Sequence, residues 1–408
     1  MSDNRKVQTG IVSKSAYLFF FLVFVGYYIG LAVVLHFDAF DSIYYSVPLR
    51  VATLFLALVI LFGSKKIFNI RSLLFIVALC LFFCHYFLVL VLNLFDQEYE
   101  NSVYVYMLYA LSYCIIPVSV FSLSSIDSVK LRRLAVGSIT CSGFFFSFVC
   151  LLIYHEYIIS GIVRISHVRF LDENIKYLSP ISLGYVSALV MSICLYRLAF
   201  RKEGGCKTFW VVVVLLLSVV PLTLGSTRGS LVALLLSFGS IAYYSNKENF
   251  NSMLVFTLTV SLLGMLLVMG AGFSERLFSE RPGHDFTSGR LALWDGAISY
   301  FLASPLFGGA VVVNGHYPHN VFLEALMSTG LVGFSIFSFI VFYALWLVCS
   351  MCKKDPEDTW LLVLYINGLV MFCFSGSLVF AINLFLPIAM IINLELQNKW
   401  PHVSVKRR

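Results

Sequence analysis

Two histidines flank a Tyr-Pro pair at the start of an apolar run, in the stretch GHYPHNVFLEALMSTGLVG at residues 315–333. The pattern is compatible with three roles for His316 and His319: capping a membrane helix, binding a metal ion, or proton transfer at the membrane surface. A metal site is disfavoured, because the two histidines straddle Pro318, which breaks helical register, and no obvious Cys or carboxylate completes a ligand set. We therefore expect neither a metal nor another cofactor.

His319 directly precedes a predicted helix. Pro318 disfavours helical backbone at Tyr317, and Asn320 is then a candidate N-cap for the run that follows. The dipole of a helix start disfavours the protonated form of a nearby histidine. Because a general base must be unprotonated before it accepts a proton, this position suits His319 for base catalysis. Glu324, one turn further on, is a reserve acid or base, with pairing inside its own helix as the alternative.

An arginine stands between two apolar runs in GSTRGS, at residues 225–230. The predicted helices on either side are so close in sequence that Arg228 is held near the membrane surface. An arginine costs about 3 kcal/mol at the bilayer centre and less near the surface, and an anionic partner offsets that cost. The planar guanidinium donates paired hydrogen bonds to phosphate oxygens. Arg228 is therefore a candidate diphosphate ligand, with a snorkelling arginine that anchors a tight hairpin as the alternative.

A second arginine, Arg290, follows Thr287-Ser-Gly and opens an amphipathic pattern. Thr287 or Ser288 is a candidate N-cap, and a helix start with hydroxyls and free N–H groups favours anions. A tryptophan-bearing amphipathic segment beside membrane spans usually rests in the interface. The alternatives are a solvated surface arginine and a helix packed on the membrane bundle. The apolar residues at helical spacing are Trp294, Ala297, Ile298, Phe301 and Leu302.

These residues belong to an oily chain of 408 residues, of which 60% are hydrophobic and 12% charged, with a mean hydropathy of +0.91. A soluble protein carries about twice that charged fraction. Apolar runs of about 20 residues, each long enough to cross a bilayer, recur along the whole length. Continuous runs of this kind exclude the alternating pattern of a β-barrel. The chain is therefore predicted to be an all-α polytopic membrane protein.

About twelve transmembrane helices are predicted, in one membrane domain that covers residues 1–408. The first apolar run is too long for the core of a cleavable signal peptide, so we expect it to remain as the first span. The tenth run is too long for one straight crossing, and we expect it to become a true span near Gly330. The predicted spans are 15–36, 45–63, 72–94, 102–124, 134–155, 178–197, 208–225, 229–245, 252–273, 320–350, 359–376 and 378–396.

The basic residues predict the orientation of these spans. With the N terminus inside, 20 of the 28 Lys and Arg residues fall on the inner side and 8 on the outer side. The reverse topology inverts this ratio, so both termini are predicted to be cytoplasmic. The outer side then has two long loops, at 156–177 and 274–319, and the second carries the amphipathic helix. The net charge of +7 follows from this topology and gives no reason to expect nucleic-acid binding.

Arg228, Arg290 and His319 all fall on the predicted outer face, and this arrangement resembles the O-antigen polymerase and O-antigen ligase superfamily of bacterial inner membranes. The resemblance in topology covers nearly the entire chain, whereas the motifs cover mainly residues 225–333. The matching pieces are GSTRGS at 225–230, SGRLALW at 288–294, SPLFGG at 304–309 and YPHNVFLEALMSTGLVG at 317–333.

The resemblance implies a GT-C-like membrane glycosyltransferase with a large periplasmic loop over a cavity. Its substrates are expected to be oligosaccharides carried on undecaprenyl diphosphate at the periplasmic face, and its partners to include membrane lipid and a protein that regulates chain length. In that mapping Arg228 and Arg290 bind the lipid diphosphate, and His319 activates the acceptor hydroxyl. The further substrate-binding residues that it implies are Arg164, His167, Arg169, Tyr317, Asn320 and Glu324.

Polymerase and ligase share this machinery and differ in the acceptor, which is a new lipid-linked repeat unit for a polymerase and lipid A-core for a ligase. The HN-x9-G-x-x-G spacing from His319 to Gly333 occurs in ligases, whereas YPHN-x-FLE and the arginine turn are more like the polymerases, which we favour.

A transporter of the same lipid-linked units is the third alternative. Transporters place ionisable groups at the bilayer midplane, where this chain has few.

Overall fold

A computed structural model of the protein describes residues 2–38, 42–64, 70–92, 103–159, 165, 176–201, 204–245 and 290–399. These residues form helices joined by short connections and contain no β-strand. The helices are α1 (Gly10–His36), α2 (Ser42–Gly63), α3 (Ile70–Leu92), α4 (Tyr104–Leu123), α5 (Ser128–Ile159), α6 (Pro180–Phe200), α7 (Gly205–Gly225), α8 (Arg228–Tyr244), α9 (Arg290–Ala303), α10 (Val321–Lys354), α11 (Pro356–Phe374) and α12 (Ile382–Lys399).

Within the described residues, nine helices are long and apolar enough to cross a membrane: α1 to α7, α10 and α11. This result confirms the prediction of an all-α polytopic membrane protein. The predicted span 229–245 corresponds to α8, which has 17 residues, and the predicted span 378–396 to α12, whose apolar part is Ile382–Glu395. The predicted span 252–273 lies outside the described residues.

The chain divides into two compact units, the first of which comprises Met1–Val59, Ser128–Glu280 and Cys352–Val370. Its centre is α6, against which α5, α7 and α8 pack. This helix starts at a Pro in the first helical position, behind Ser179, whose hydroxyl accepts a hydrogen bond from the Ser182 amide at 3.2 Å. A second polar contact in this unit joins α11 to α8, where the Asn367 amide donates to the Ser237 hydroxyl at 2.9 Å.

The second unit comprises Ile60–Asp127, Arg281–Met351 and Met371–Arg408. Aromatic rings from three helices form part of its core: the Phe337 ring of α10 lies 5.6 Å from Phe82 of α3 and 6.3 Å from Phe385 of α12. Separately, the Asn393 amide of α12 donates to the carbonyls of Phe121 and Ser124, both at 2.7 Å. The unit is therefore held by aromatic packing and by buried hydrogen bonds between α12 and the end of α4.

α10 is broken at Gly330, which has φ 57° and ψ −162°. Residues 305–309 fill the break: the amides of Leu331 and Val332 donate to the carbonyls of Pro305 and Leu306, at 2.8 and 3.2 Å. A Cβ at Gly330 would overlap the backbone of Leu306. The long tenth run is therefore interrupted at Gly330, and the segment that accommodates the interruption is the SPLFGG motif. That the true span begins there stays a prediction.

Replacing Gly330 with Ala is expected to lower the thermal stability of the purified protein by several degrees. This backbone conformation is accessible almost only to glycine, and strain of this kind costs about 1–3 kcal/mol before the overlap is counted. The matched control is Gly239→Ala on α8, where a Cβ meets nothing within 4 Å and helix propensity predicts a gain of about 1 kcal/mol. Thermal melts in detergent measure both variants, and equal melting temperatures for Gly330→Ala and wild type would refute the expectation.

Candidate functional site

The side chain of Asn320 caps the start of α10. Its Oδ1 accepts hydrogen bonds from the amides of Phe322 and Leu323, at 3.0 and 3.1 Å. These amides are among the first four of the helix, which have no partner inside it. The predicted N-cap is therefore present, and it fixes where the chain leaves the helix toward His319.

Replacing Asn320 with Ala should lower the free energy of unfolding by about 0.5–2 kcal/mol, the usual cost of losing a cap. Asn320→Ser is the matched control, because a serine hydroxyl accepts the same amide hydrogen bonds and should retain most of the stability. Reversible unfolding of the purified protein in mixed detergent micelles measures the difference. If the Ala and Ser variants unfold alike, the hydrogen bonds of Asn320 contribute nothing.

His319 lies next to this cap in a costly conformation. Its φ is 56°, in the left-handed region, and it is one of four non-glycine residues with positive φ in the described part of the chain. Its Nδ1 is buried and has no hydrogen-bond partner among the described residues. The backbone strain costs about 1–3 kcal/mol, and an unpaired buried polar atom about 1–3 kcal/mol. Costs of this kind concentrate at functional positions.

The pKa of His319 is lowered from 6.5 to about 4, first by burial, then by the positive charge of Arg290, then by His316. The imidazole is therefore neutral at physiological pH, as the sequence predicted. The main causes differ from the predicted one, since burial and a neighbouring arginine account for the shift. Arg290 and His319 are thus electrostatically coupled within the second unit.

Aromatic contacts hold the loop that carries His319. The His319 ring lies 4.7 Å from the Tyr317 ring in an edge-to-face arrangement, and Tyr317 lies 6.3 Å from Phe380. The loop also accepts a hydrogen bond, because the indole N–H of Trp294 donates to the Pro318 carbonyl at 3.0 Å. The tryptophan of the SGRLALW motif therefore ties α9 directly to the YPHN motif. No local pattern in the sequence indicates this contact.

α9 covers the predicted amphipathic segment, and its packed face differs in part from the predicted one. Ile298 and Leu302 of the predicted apolar stripe are exposed, at 43% and 68%. Leu293, which was outside that stripe, packs against a small buried cluster. The sequence pattern gives the period of the apolar stripe, but which side of α9 is packed depends on the residues of the loop and of α10 that complete the cluster. The buried cluster comprises Ala297, Ala310, Val313 and Met327.

Glu324 lies in the interior, with 0% of its surface exposed. Its Oε1 accepts hydrogen bonds from the hydroxyls of Tyr86 and Ser377, at 2.9 and 2.6 Å, and its Oε2 accepts one from the Leu378 amide at 3.0 Å. The expected alternative, pairing within its own helix, is therefore not what the structure shows. All three donors belong to other segments of the second unit.

Arg228 is half-buried and is the first residue of α8, in the first unit. The connection from α7 is only Ser226, with φ 40°, and Thr227, whose hydroxyl donates to the Ser230 hydroxyl at 2.7 Å. At a helix N-terminus a cation opposes the helix dipole at a cost of about 0.3–1 kcal/mol. An anion bound there relieves that cost, so the position agrees with a phosphate-binding role.

The arginine turn packs closely on the start of α6. A Cβ at Gly225 would overlap the Gly184 amide and the Pro180 carbonyl, and a Cβ at Gly184 would overlap the Thr227 hydroxyl. Neither position has room for a side chain, so the two glycines let the backbones meet. This packing fixes the direction of the chain at the turn before Arg228.

Several predicted residues lie outside the described part of the chain: Arg164, His167 and Arg169 of the first long loop, and Thr287 and Ser288 before α9. Among the described residues, no three His, Cys, Asp or Glu side chains converge as metal ligands do. The residues that the structure brings together are Arg290, His316, Tyr317 and His319.

Comparison with known proteins bears on this segment. The family model described as O-Antigen ligase matches residues 211–338. That range contains the arginine turn, α9 and the capped start of α10, hence Arg228, Arg290 and His319. No curated protein and no solved structure matches the chain. The family match agrees with the resemblance seen in the motifs, and the matched segment of this chain is similar to the O-antigen ligase family.

Proposed function

We propose that the chain is an O-antigen polymerase, a membrane glycosyltransferase that extends lipopolysaccharide repeat units. It transfers the growing glycan from undecaprenyl diphosphate onto a new lipid-linked repeat unit. The observation that supports this most strongly is the neutral, half-buried His319 beside Arg290, inside the segment that matches the family. The pair combines a proton acceptor with a cation, which this transfer requires.

The proposal includes a location and a topology. The chain resides in the bacterial inner membrane with about twelve spans in a GT-C-like arrangement, and both termini are cytoplasmic. The excess of basic residues on the inner side supports this orientation. The loops 156–177 and 274–319 and the reacting groups then face the periplasm, where lipid-linked repeat units are available without nucleotide donors.

The proposed reaction is a single transfer. The bond between the anomeric carbon of the donor glycan and the diphosphate oxygen breaks, and a bond from that carbon to the acceptor hydroxyl oxygen forms. The acceptor proton passes to His319, and undecaprenyl diphosphate leaves with the bonding electrons. Because the sugar–diphosphate bond is already activated, the protein has to stabilise the leaving charge and remove one proton.

Arg290 is proposed to stabilise the diphosphate through paired hydrogen bonds and charge. Arg228, on the first unit, is a separate candidate for phosphate binding, supported by its position at the first turn of α8. Arg164, His167, Arg169, Tyr317 and Asn320 remain proposed contributors to substrate binding. Of these, Tyr317 contacts the His319 ring and Asn320 caps α10.

Diphosphate binding should also prepare His319 for its role. A base with a pKa of about 4 is always neutral at pH 7 but accepts protons weakly. An anion bound at Arg290 offsets the positive charge that lowers this pKa, so the pKa of His319 rises toward the working pH. His319 therefore becomes an effective base only when the lipid diphosphate is present, which couples proton removal to donor binding.

The second candidate function is an O-antigen ligase, which transfers the glycan to lipid A-core. The description of the matching family and the HN-x9-G-x-x-G spacing from His319 to Gly333 favour it. The chemistry of the site is the same for both acceptors. A partner that regulates chain length is proposed for the polymerase alone.

Deletion of the gene followed by lipopolysaccharide gel analysis tests these proposals. Loss of a polymerase leaves lipid A-core with a single repeat unit, and the ladder returns when the wild-type chain is supplied in trans. Loss of a ligase leaves bare core and accumulated lipid-linked polymer. Loss of a transporter leaves single units on the cytoplasmic side of the membrane. A normal ladder in the deletion strain, where no second copy is encoded, would refute all three functions.

A further inference from the structure

The buried carboxylate of Glu324 joins three separate segments. It lies in the first turn of α10 and accepts hydrogen bonds from Tyr86 of α3 and from Ser377 and Leu378, which follow α11. These donors are 238, 53 and 54 positions away in sequence. A buried carboxyl group that loses its hydrogen-bond donors is strongly destabilising. The segments are therefore fixed relative to the start of α10.

The segment after Ser377 leads toward His319. Leu378–Phe380 forms one turn of 3-10 helix, so the Glu324 hydrogen bond to the Leu378 amide anchors its first residue. Phe380, at the other end of the turn, packs with its ring 4.8 Å from Tyr109 and 6.3 Å from Tyr317. Tyr317 in turn lies against the His319 ring.

The imidazole depends on this packing for its orientation. Its Nδ1 has no hydrogen-bond partner among the described residues, whereas most histidines with a chemical role have one ring nitrogen held by a hydrogen bond. The φ of 56° at His319 also has to be maintained against the preference of the backbone. The Tyr317 ring, which itself packs on Phe380, is therefore the surface against which the imidazole lies.

We propose that Glu324 is a positioning residue for His319, acting through the turn Leu378–Phe380 and the rings of Phe380 and Tyr317. It contacts no substrate, because it is completely buried and its oxygens are occupied by protein donors. The consequence for glycan transfer rests on the proposed function, but the consequence for the His319 ring is a property of the protein alone.

The test compares two substitutions of Glu324 with one substitution at a control position. Glu324→Leu keeps the volume and removes every acceptor. Glu324→Gln can keep three hydrogen bonds. The oxygen of the glutamine amide accepts from the Leu378 amide, and its NH2 group donates to the hydroxyls of Tyr86 and Ser377, because a hydroxyl oxygen can also accept. Asn393→Leu is the matched control, because Asn393 is buried in the same unit with two hydrogen bonds to the end of α4.

The first readout is the pKa of His319, obtained from the pH dependence of its modification by diethyl pyrocarbonate, with peptide mass spectrometry on the full-length protein in nanodiscs. Glu324→Leu should loosen the packing of Phe380 and Tyr317 and leave His319 less buried. The pKa of His319 should therefore rise from about 4 toward the ordinary value of about 6.5. Glu324→Gln should restore the wild-type titration. Asn393→Leu should lower stability and leave the titration unchanged.

The second readout is the rate of glycan transfer. A reactive group displaced by about 1 Å can lose roughly 100-fold in rate. Glu324→Leu should therefore slow transfer by roughly 10- to 100-fold with little change in KM, and Glu324→Gln should be close to wild type. A purely structural role would reduce the amount of folded protein and leave the rate per folded molecule unchanged.

The proposal is overturned if folded Glu324→Leu protein titrates at His319 as wild type does, or if Glu324→Gln fails to restore the titration. If Glu324→Leu does not fold, Tyr86→Phe and Ser377→Ala each remove one donor and should shift the same pKa upward by a smaller amount; wild-type titration in both then refutes it. The titration needs no substrate. If wild type extends no glycan while the titration series behaves as expected, the proposed function fails and the positioning role stands.

Discussion

Replacing His319 with Ala should abolish glycan chain extension while the protein remains in the membrane at its normal level. In the proposed reaction this side chain takes the proton of the acceptor hydroxyl, and a positioned general base contributes about 10²–10⁴-fold to a rate. A loss of that size reduces a long lipopolysaccharide ladder to core with one repeat unit. His319→Gln should have the same effect, since an amide keeps polarity and size but does not accept the proton.

His316→Gln is the matched control for that result. His316 is three residues away in the same loop and is exposed, and its backbone pairs with Val313 at 2.7 and 3.1 Å through groups that the substitution keeps. We expect a normal ladder from this variant. The measurement is gel analysis of lipopolysaccharide from a deletion strain that expresses each variant, with membrane protein levels from immunoblots. A full ladder from His319→Ala would remove the proposed base.

Replacing Arg290 with Gln should impair transfer and also move its pH dependence to higher pH. The positive charge of Arg290 disfavours protonated His319 and thereby lowers its pKa to about 4, so removal of the charge raises that pKa. The neutral form required for activity is present above the pKa and is lost as pH falls through it. The acid limb of kcat/KM, which reports the free enzyme, should therefore lie near pH 4 in wild type and higher in Arg290→Gln.

Two further variants show whether the shift of the acid limb comes from Arg290 itself or from a general loss of positive charge. His316 is the smaller charge-related cause of the same shift, so His316→Gln should move the acid limb less than Arg290→Gln does. Arg71→Gln is the control, because Arg71 is an exposed arginine of the same unit that is not among the causes of the shift. Because Arg290 is also the proposed binding partner of the diphosphate, Arg290→Gln should in addition lower kcat/KM by about 10²–10³-fold. An unchanged acid limb in that variant would show that the two residues are not coupled.

Features near His319 that depend on local chemistry were predictable from the sequence. Asn320 is a cap because its side chain reaches the amides two and three residues ahead. An interruption of α10 was expected because the apolar run is too long for one straight crossing. It occurs at Gly330, where the backbone conformation strongly favours glycine. A neutral His319 followed from its place before the helix, although burial and Arg290 turned out to be the main causes.

Features that depend on contacts between distant segments were not predictable. The partners of Glu324 are more than 50 positions away, and no local pattern marks a tyrosine or serine as a donor to a buried carboxylate. The hydrogen bond from Trp294 to the Pro318 carbonyl and the packed face of α9 also depend on how the intervening loop folds. Hydrophobic periodicity indicates that a helix has an apolar side, but not what covers it.

Glycan transfer by the purified protein tests the central proposal most directly. The protein, reconstituted in nanodiscs, is given a single lipid-linked repeat unit as its only substrate, and the products are resolved by mass spectrometry. We expect lipid-linked chains of increasing length, with one undecaprenyl diphosphate released for each bond formed, and no such products from His319→Ala. Transfer only to added lipid A-core would replace the polymerase by the ligase. Unchanged substrate with either acceptor would contradict a glycosyltransferase at this site.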